Sequence, residues 1–284
     1  MSSVAIITDT DSSLPPAVAA AHHLRQVPIT VHFGKEASKA VEEIDDARLF
    51  ARINRENRLP TTAAPAPGQF VQAFQAALDA GATAVICFCV SSAVSATFQA
   101  AEAARDLMPG RDITIVDTQS LSMAQGFVAV AAAEAAEAGA SKDEIVARAL
   151  EVRDRTRLFA ALPTLKYLAM SGRVGYVAAG FATVLNIQPV LTVRNGKLDL
   201  LERVRTRAKA WARVIELAAE AAGGQPAERL AVIHVNAQQD AQVFEEKLRA
   251  FVSCPSETLY AELTPGLSVH SGDGLVGVAM VCAS

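Results

Sequence analysis

The chain has 284 residues, 51% of them hydrophobic, and a formal net charge of −4 at pH 7. This length and apolar content are typical of one large or two medium domains with a sizeable core. The acidic balance, with Lys and Arg alternating with Asp and Glu, lacks the basic stripe of nucleic-acid-binding proteins, so we expect no nucleic-acid partner.

The apolar segments are too short to span a bilayer. The longest candidate, 127–138, contains Glu134 and Glu137 and falls short of the roughly 20 apolar residues of a spanning helix. The N-terminal segment has neither a positive region nor a small-residue cleavage site, which predicts a cytoplasmic protein. We expect the four cysteines to be reduced, buried thiols, with no metal site.

Up to residue 156, apolar runs alternate with helical patterns, and this alternation predicts a parallel α/β sheet. The predicted strands are 4–7, 26–31, 84–90 and 114–116. The predicted helices are 14–20, 69–80, 95–107, 124–138 and 141–156.

The pattern changes near residue 157, where we place a domain boundary. The second half predicts a strand and a short helix over 158–173, then a hairpin that turns at Asn195-Gly196. The remaining predicted elements are a helix over 207–222, a strand over 230–235, a helix over 241–250, a strand over 258–262 and a terminal strand.

Polar side chains follow apolar runs at four points along the chain: 8–13, 60–62, 91–97 and 117–120. Open α/β sheets bind ligands at such strand ends. In the first stretch, Ser13 before Leu14 and Pro15 predicts a helix cap. Asp9 and Asp11 are interpreted as turn residues because the carboxylate spacing of an EF-hand is absent. Thr62, in the proline-rich loop 60–68, is either a surface hydroxyl on a rigid connector or part of a site.

The third stretch, VSSAVSAT at 90–97, has more hydroxyls than a helix cap requires. A helix N-terminus with spare hydroxyls suits an anion, and both phosphate and carboxylate are candidates. The absence of glycine and lysine favours a carboxylate, a small planar anion that the Ser95 and Thr97 hydroxyls suit. His270, between glycines in a predicted turn near the C-terminus, is either structural or functional.

Six motifs, in order along the whole chain, resemble those of the DegV family of bacterial fatty-acid-binding proteins, which includes the fatty-acid-binding subunits of bacterial fatty acid kinase. They are IITDTDSSLP, TTAAPAPGQF, VSSAVSATFQAA, VDTQSLSMAQG, LKYLAMSGRV and LSVHSGDGLVG. They are similar to the family elements TDS-x-x-DL, TSQPSPGEF, SS-x-LSGTYQSA, VDS-x-x-x-S-x-G, L-x-YL-x-x-GGRI and H-x-GPGA-x-G.

The resemblance implies an α/β fold with an N-terminal, Rossmann-like, parallel-sheet domain (1–157) and a C-terminal α/β domain with a mixed sheet (158–284). It implies a non-catalytic protein that carries one long-chain fatty acid in a tunnel and presents it to a separate kinase, which forms an acyl phosphate. The implied carboxylate ligands are Thr62, Ser95 and His270, with Ala96, Thr97 and Ser92 beside them. No cofactor is implied, and transient contact with a membrane surface is expected.

Four departures from the family pattern bear on the site. The run Thr62-Ala63-Ala64-Pro65-Ala66 replaces the more polar TSQPS. Ala96 replaces a glycine, which adds a methyl group near the carboxylate. Ser171 replaces the glycine before Gly172-Arg173. Asp273 replaces a proline, and a carboxylate there would weaken anion binding unless it points away.

Other expectations concern the tail and the partner. Tail-lining candidates are 162–168 and 176–184, where core packing is an equal alternative. The resemblance implies that Arg173 and Arg205 dock a kinase, on a face that extends over Arg203, Arg207 and Lys209; a solvated helix face is the alternative. The alternative function is an enzyme related to dihydroxyacetone kinase that acts on a small carbonyl substrate through His270, in a compact polar pocket.

Overall fold

The computed structural model describes residues 3–171 and 187–284. The strands of the first half are β1 Val4–Asp9, β2 Arg25–Val27, β3 Thr30–Phe33, β4 Glu36–Lys39, β5 Thr61–Ala63, β6 Ala84–Cys89 and β7 Ile113–Asp117. Its helices are α1 Pro16–Ala21, α2 Asp46–Glu56, α3 Pro67–Asp79, α4 Thr97–Asp106, α5 Ser122–Glu137 and α6 Lys142–Arg155, with a 3-10 turn at Thr10–Ser12.

The second half is built mainly from longer strands. These are β8 Thr156–Ala161, β9 Gln188–Arg194, β10 Lys197–Val204, β11 Arg229–His234, β12 Leu259–Glu262 and β13 Val276–Val281. The helices described there are α7 Lys166–Ser171, α8 Arg207–Ala222, α9 Gln238–Leu248 and α10 Pro265–Ser271.

The strands form two main sheets, one from each half of the chain. The first sheet is parallel, with strand order β2-β1-β6-β7. The second has the order β10-β9-β8-β13-β11-β12 and is mixed, because only its β11–β12 pair is parallel. The predicted α/β class, with a parallel sheet followed by a mixed one, is confirmed.

A small third sheet, with strand order β4-β3-β5, was missed by the sequence analysis. The strand predicted at 26–31 is two strands in different sheets, β2 and β3, separated by Pro28. Proline has no N–H for a strand ladder, so the chain leaves the first sheet there. This break brings β3 alongside β5, with Val31 opposite Thr62.

Helix α5 forms the layer between the two main sheets. It packs against β1 and β6 on one side and against β8, β11 and β13 on the other. Its residues 122–133 are all buried, as expected for a helix with apolar residues around its whole circumference. Its many alanines let both sheets approach closely, and a single core cluster joins residues of both.

Two local predictions were wrong. Ser13 does not cap a helix: it adopts φ 51° and closes the 3-10 turn, and α1 begins at Pro16 without a side-chain cap. His270 lies in helix α10 and not in a turn. Proline is favourable in the first turn of a helix, so Pro265-Gly266 starts this helix instead of ending a strand.

The predicted hairpin turn at Asn195-Gly196 is confirmed, with φ values of 51° and 76°. Both residues therefore adopt the left-handed conformation of a two-residue hairpin turn. The hydroxyl of Ser91 donates a hydrogen bond to the Gly196 carbonyl oxygen at 2.6 Å. This contact ties the hairpin of the second sheet to the serine-rich loop that follows β6.

We expect Gly196→Ala to destabilise the protein more than Gly110→Ala, the matched control. Both glycines have similar positive φ, 76° and 80°, but a Cβ at Gly196 would lie 2.6 Å from the Ser91 Oγ, whereas a Cβ at Gly110 would meet nothing within 4 Å. Backbone strain costs about 1 kcal/mol at each site, and the clash adds about 1–3 kcal/mol at Gly196. Equal free energies of unfolding in urea would contradict this account.

Candidate functional site

A cavity of about 650 Å³ lies between the second sheet and the loops at the carboxyl ends of the first. Its volume is in the range of small-molecule binding pockets. One wall is apolar and comes mainly from the second sheet: Leu158, Ala160, Leu162, Leu191, Leu198 and Ile233. Leu168 of α7 also lines it, so two of the predicted tail-lining residues, Leu162 and Leu168, face the cavity.

The opposite wall carries a pair of polar side chains from distant parts of the chain. Thr62 lies at the centre of β5 and His270 in the last turn of α10, and both line the cavity. The Thr62 Oγ1 and the His270 Nε2 are 3.0 Å apart, within hydrogen-bond distance. The structure therefore brings together two residues that are 208 positions apart in the sequence.

Ser95 and Ala96 line the same cavity at the start of α4. The Ser95 Oγ lies 2.8 Å from the Thr97 Oγ1 and accepts a hydrogen bond from the Thr97 amide. Thr97 is fully buried behind Ser95 and is not part of the lining. Ala96 has φ −82°, which any residue adopts easily, so the glycine of the family pattern is not required by the backbone here.

Ser92 also lines the cavity, but its hydrogen-bonding groups are directed elsewhere. Its hydroxyl donates to the Asp117 Oδ2 at 2.5 Å, and its amide donates to the Asp117 Oδ1 at 3.3 Å. These bonds fasten the loop to the end of β7. The hydroxyl of Ser95 is consequently better placed than that of Ser92 to meet a ligand.

Asp9 holds the start of the serine-rich loop in place through a hydrogen bond from the Val90 amide. Its buried carboxylate accepts hydrogen bonds from the amides of Asp11 and Val90, at 2.9 and 2.7 Å, and from the Gln125 side chain at 3.1 Å. Burial raises the pKa of Asp9 to about 6, while these three hydrogen bonds oppose the rise. The interpretation of Asp9 as a turn residue agrees with these contacts.

The remaining predicted residues lie outside the cavity or outside the described residues. Asp273 is exposed and is not part of the cavity lining. Arg205 is exposed between β10 and α8. Arg207 contacts Asp240 and stacks on the Trp211 ring at 4.4 Å. Arg173 and the stretch 176–184 lie outside the described residues.

The sequence analysis missed several cavity residues. Asp11 and Ser122 line it beside the start of α5, and Leu263 and Leu275 line it from the segments around α10. Asp11 belongs to the stretch that was interpreted only as a turn. Asp11 follows the carboxyl end of a parallel strand, and this position alone could have predicted that it borders a binding cavity.

Residues 3–171 and 187–284 contain neither a metal-binding cluster nor a membrane-spanning helix. No group of three or more His, Cys, Asp or Glu residues there is arranged to hold a metal ion. None of the helices described is both long enough and apolar enough to cross a bilayer. Cys87 and Cys89 are fully buried on β6, with their sulfur atoms 3.7 Å apart.

Comparison with known proteins assigns the chain to a family. A family model described as "Uncharacterised protein, DegV family" matches residues 3–283. The chain belongs to the DegV family. A DegV domain-containing protein of Streptomyces coelicolor is 35% identical over 277 residues, which cover 98% of this chain and 98% of the relative.

Solved structures of the DegV family have the same fold. One is described as fatty acid binding of a DegV family protein from Thermus thermophilus; it has a TM-score of 0.89 and 28% identity and covers 99% of both chains. Another is DegV, a fatty acid binding protein from Bacillus subtilis, with a TM-score of 0.89, 29% identity and 100% of both chains covered. These matches extend over both halves of this DegV-family chain.

We expect Asp9→Ala to lower the free energy of unfolding by about 2–4 kcal/mol, because it leaves the buried amides of Asp11 and Val90 without an acceptor. The control is Asp106→Ala, which removes an exposed carboxylate beside Arg105 and costs at most about 1 kcal/mol. Denaturant unfolding measures both. A loss in the Asp9 variant no larger than in the control would contradict the role assigned to Asp9.

Proposed function

We propose that the protein binds a long-chain fatty acid in the cavity, with the carboxylate at Thr62, Ser95 and His270. One observation carries the proposal: a cavity walled mainly by aliphatic side chains is bordered by the Thr62–His270 pair and the Ser95 hydroxyl. A fatty acid has the same division between an apolar chain and one polar end. The fatty-acid-binding structures from Thermus thermophilus and Bacillus subtilis support it.

The energetics of such a complex are favourable without any chemical step. Burial of about 14 methylene groups at about 0.8 kcal/mol each contributes roughly 11 kcal/mol before the costs of association and ordering. A buried carboxylate is unfavourable unless its oxygens accept hydrogen bonds. The hydroxyls of Thr62 and Ser95 and the His270 imidazole can donate them, so the tail supplies affinity and the polar wall supplies orientation.

The same geometry favours a carrier over an enzyme acting on a small carbonyl compound. That alternative predicts a compact polar pocket, whereas most of the residues that line this cavity are apolar. The side chain paired with the His270 Nε2 is Thr62, and the side chain beside the Ser95 hydroxyl is Thr97. A hydroxyl beside an imidazole is also an arrangement that nucleophilic enzymes use, so the apolar lining, and not the Thr62–His270 pair, favours the carrier.

The proposal extends to the wider role that the family resemblance implies. In the proposal, the protein carries a single fatty acid in the cytoplasm of a bacterial cell and presents its carboxylate to a separate kinase, which forms the acyl phosphate. Exchange of the lipid requires transient contact with a membrane surface. The kinase partner, its docking through Arg173 and Arg205, and a domain boundary near residue 157 stay predictions.

We expect His270→Ala and Thr62→Ala each to weaken binding of a long-chain fatty acid by about 10- to 100-fold, because each removes a hydrogen bond to a charged group, worth about 1.5–3 kcal/mol. His22→Ala is the matched control, since His22 contacts Glu137 away from the cavity. Native mass spectrometry of lipid retained on purification, followed by titration of delipidated protein, measures the effect. Delipidated wild-type protein that takes up no long-chain acid would overturn the proposal.

A further inference from the structure

Helix α10, which carries His270, is fastened on the side away from the cavity. The Ser268 hydroxyl donates a hydrogen bond to the Asp46 carboxylate at the start of α2. At the N-terminus of α10, the Thr264 hydroxyl donates to the Thr10 carbonyl oxygen at 2.9 Å. Ser268 is two positions before His270, so the two side chains leave the helix in nearly opposite directions.

The Asp46–Ser268 contact is deeply buried. Asp46 is 2% exposed and Ser268 is 0% exposed. The Asp46 Oδ1 accepts the Ser268 hydrogen bond, but the Oδ2 is buried without a hydrogen-bond partner among the described residues. An ionised carboxylate with a single hydrogen bond is costly in such a place, because each lone pair taken from water needs a replacement.

The negative charges around Asp46, like its burial, favour the protonated carboxyl. Burial raises the pKa of Asp46 to about 8, the Ser268 hydrogen bond opposes the rise, and the carboxylates of Glu262, Asp273 and Asp45 add to it. Asp46 therefore keeps its proton near neutral pH. Other titratable groups lie on the elements packed against α10: Asp11 beside Gly266, Tyr167 beside Gly272, Lys166 on α7, His32 on β3, Arg48, Arg52, Arg55 and Glu56 on α2, and His270 on α10 itself.

We propose that Asp46, through Ser268, is a positioning residue for His270, and that the affinity for the fatty acid falls when Asp46 loses its proton. The proposal rests on the fatty-acid-binding function above and describes how that site is regulated. Ionised Asp46 is stabilised by water, which reaches it only when α10 separates from α2. That separation moves His270 away from Thr62, so the carboxylate of the ligand loses its donors.

The raised pKa of Asp46 also makes the stability of the folded protein depend on pH. The Asp46 carboxyl ionises near its ordinary pKa of 3.8 in the unfolded chain and near 8 in the folded one. Between these values the folded state holds one more proton, so the free energy of unfolding falls as the pH rises from about 4 to about 8. Asp9, whose pKa is raised to about 6, contributes a fall of its own below that pH. The Asp46→Asn variant, which cannot ionise at position 46, should therefore lack the part of the decline between about pH 6 and about pH 8.

Binding of the fluorescent fatty acid cis-parinaric acid, measured from about pH 7 to about pH 9.5, tests the proposal. We expect the affinity of the wild-type protein to fall by about tenfold or more over this range and that of Asp46→Asn to change by less than about twofold. Asp11, Tyr167 and His270 are all present in the variant, so the difference between the two profiles isolates Asp46. Asp106→Asn, an exposed control, should follow the wild type.

Two substitutions of Ser268 separate positioning from general stability. Ser268→Ala removes the hydrogen bond that holds the pKa of Asp46 down, so the midpoint of the variant's binding profile should move to higher pH. The same bond anchors α10, so the variant's affinity for the fatty acid near pH 7 should fall by about tenfold. Ser268→Thr keeps a hydroxyl and should restore both. Ser256→Ala, in an exposed loop, should leave both unchanged.

The outcomes distinguish this proposal from the one it rests on. Wild-type protein that binds no cis-parinaric acid at any pH would overturn the fatty-acid-binding function itself. Binding that is independent of pH in the wild type, or an Asp46→Asn profile identical to that of the wild type, would overturn the role of Asp46 alone. If the variants do not fold, the His270 imidazole ¹⁵N shift in the wild type decides: it should show a second step as Asp46 titrates, and its absence contradicts the proposal.

Discussion

The carboxylate of Asp9 holds together three segments that are far apart in the sequence. Asp9 is the last residue of β1. Its carboxylate accepts a hydrogen bond from the amide of Val90, directly before the serine-rich loop, and another from the side chain of Gln125 in α5. All three partners are buried, and without the Asp9 carboxylate the amide of Val90 would lose its acceptor. The loop that carries Ser95 is placed by this contact, so the candidate site depends on a residue that does not line the cavity.

The cavity lies next to helix α5, on which both main sheets pack. Helix α5 contacts strands of both, and its alanines keep them close, yet its first turn borders the cavity through Leu121 and Ser122. Beyond that turn, the space between the sheet and the loops is bridged by α10 and by the Ser91–Gly196 contact. The second half of the chain thus supplies most of the apolar wall, and the first half supplies most of the hydroxyls. Neither half encloses the cavity alone.

Much of the fold was predictable because its strongest elements carry local signals. Strand β6 is buried along its whole length and reads as a continuous apolar run, as central parallel strands do. Asn195-Gly196 specifies a hairpin turn by its backbone preferences. Helix α2 was missed although it carries local signals: Asp45 caps it through the Arg48 amide, and Leu49, Phe50 and Ile53 share one buried face. The small third sheet was missed because its strands have only three or four residues each, which is too short to show a clear alternating pattern.

For the candidate site, the sequence by itself determined which chemical groups follow the strands, and the motif order pointed to Thr62, Ser95 and His270 as a set. Only the tertiary structure decided their neighbours. It paired Thr62 with His270, turned the Ser92 hydroxyl to Asp117, left Asp273 exposed and buried Asp46 against Ser268. The physical reason is that hydrogen bonds between residues as much as 254 positions apart depend on how elements pack, and no local pattern of residues records that packing.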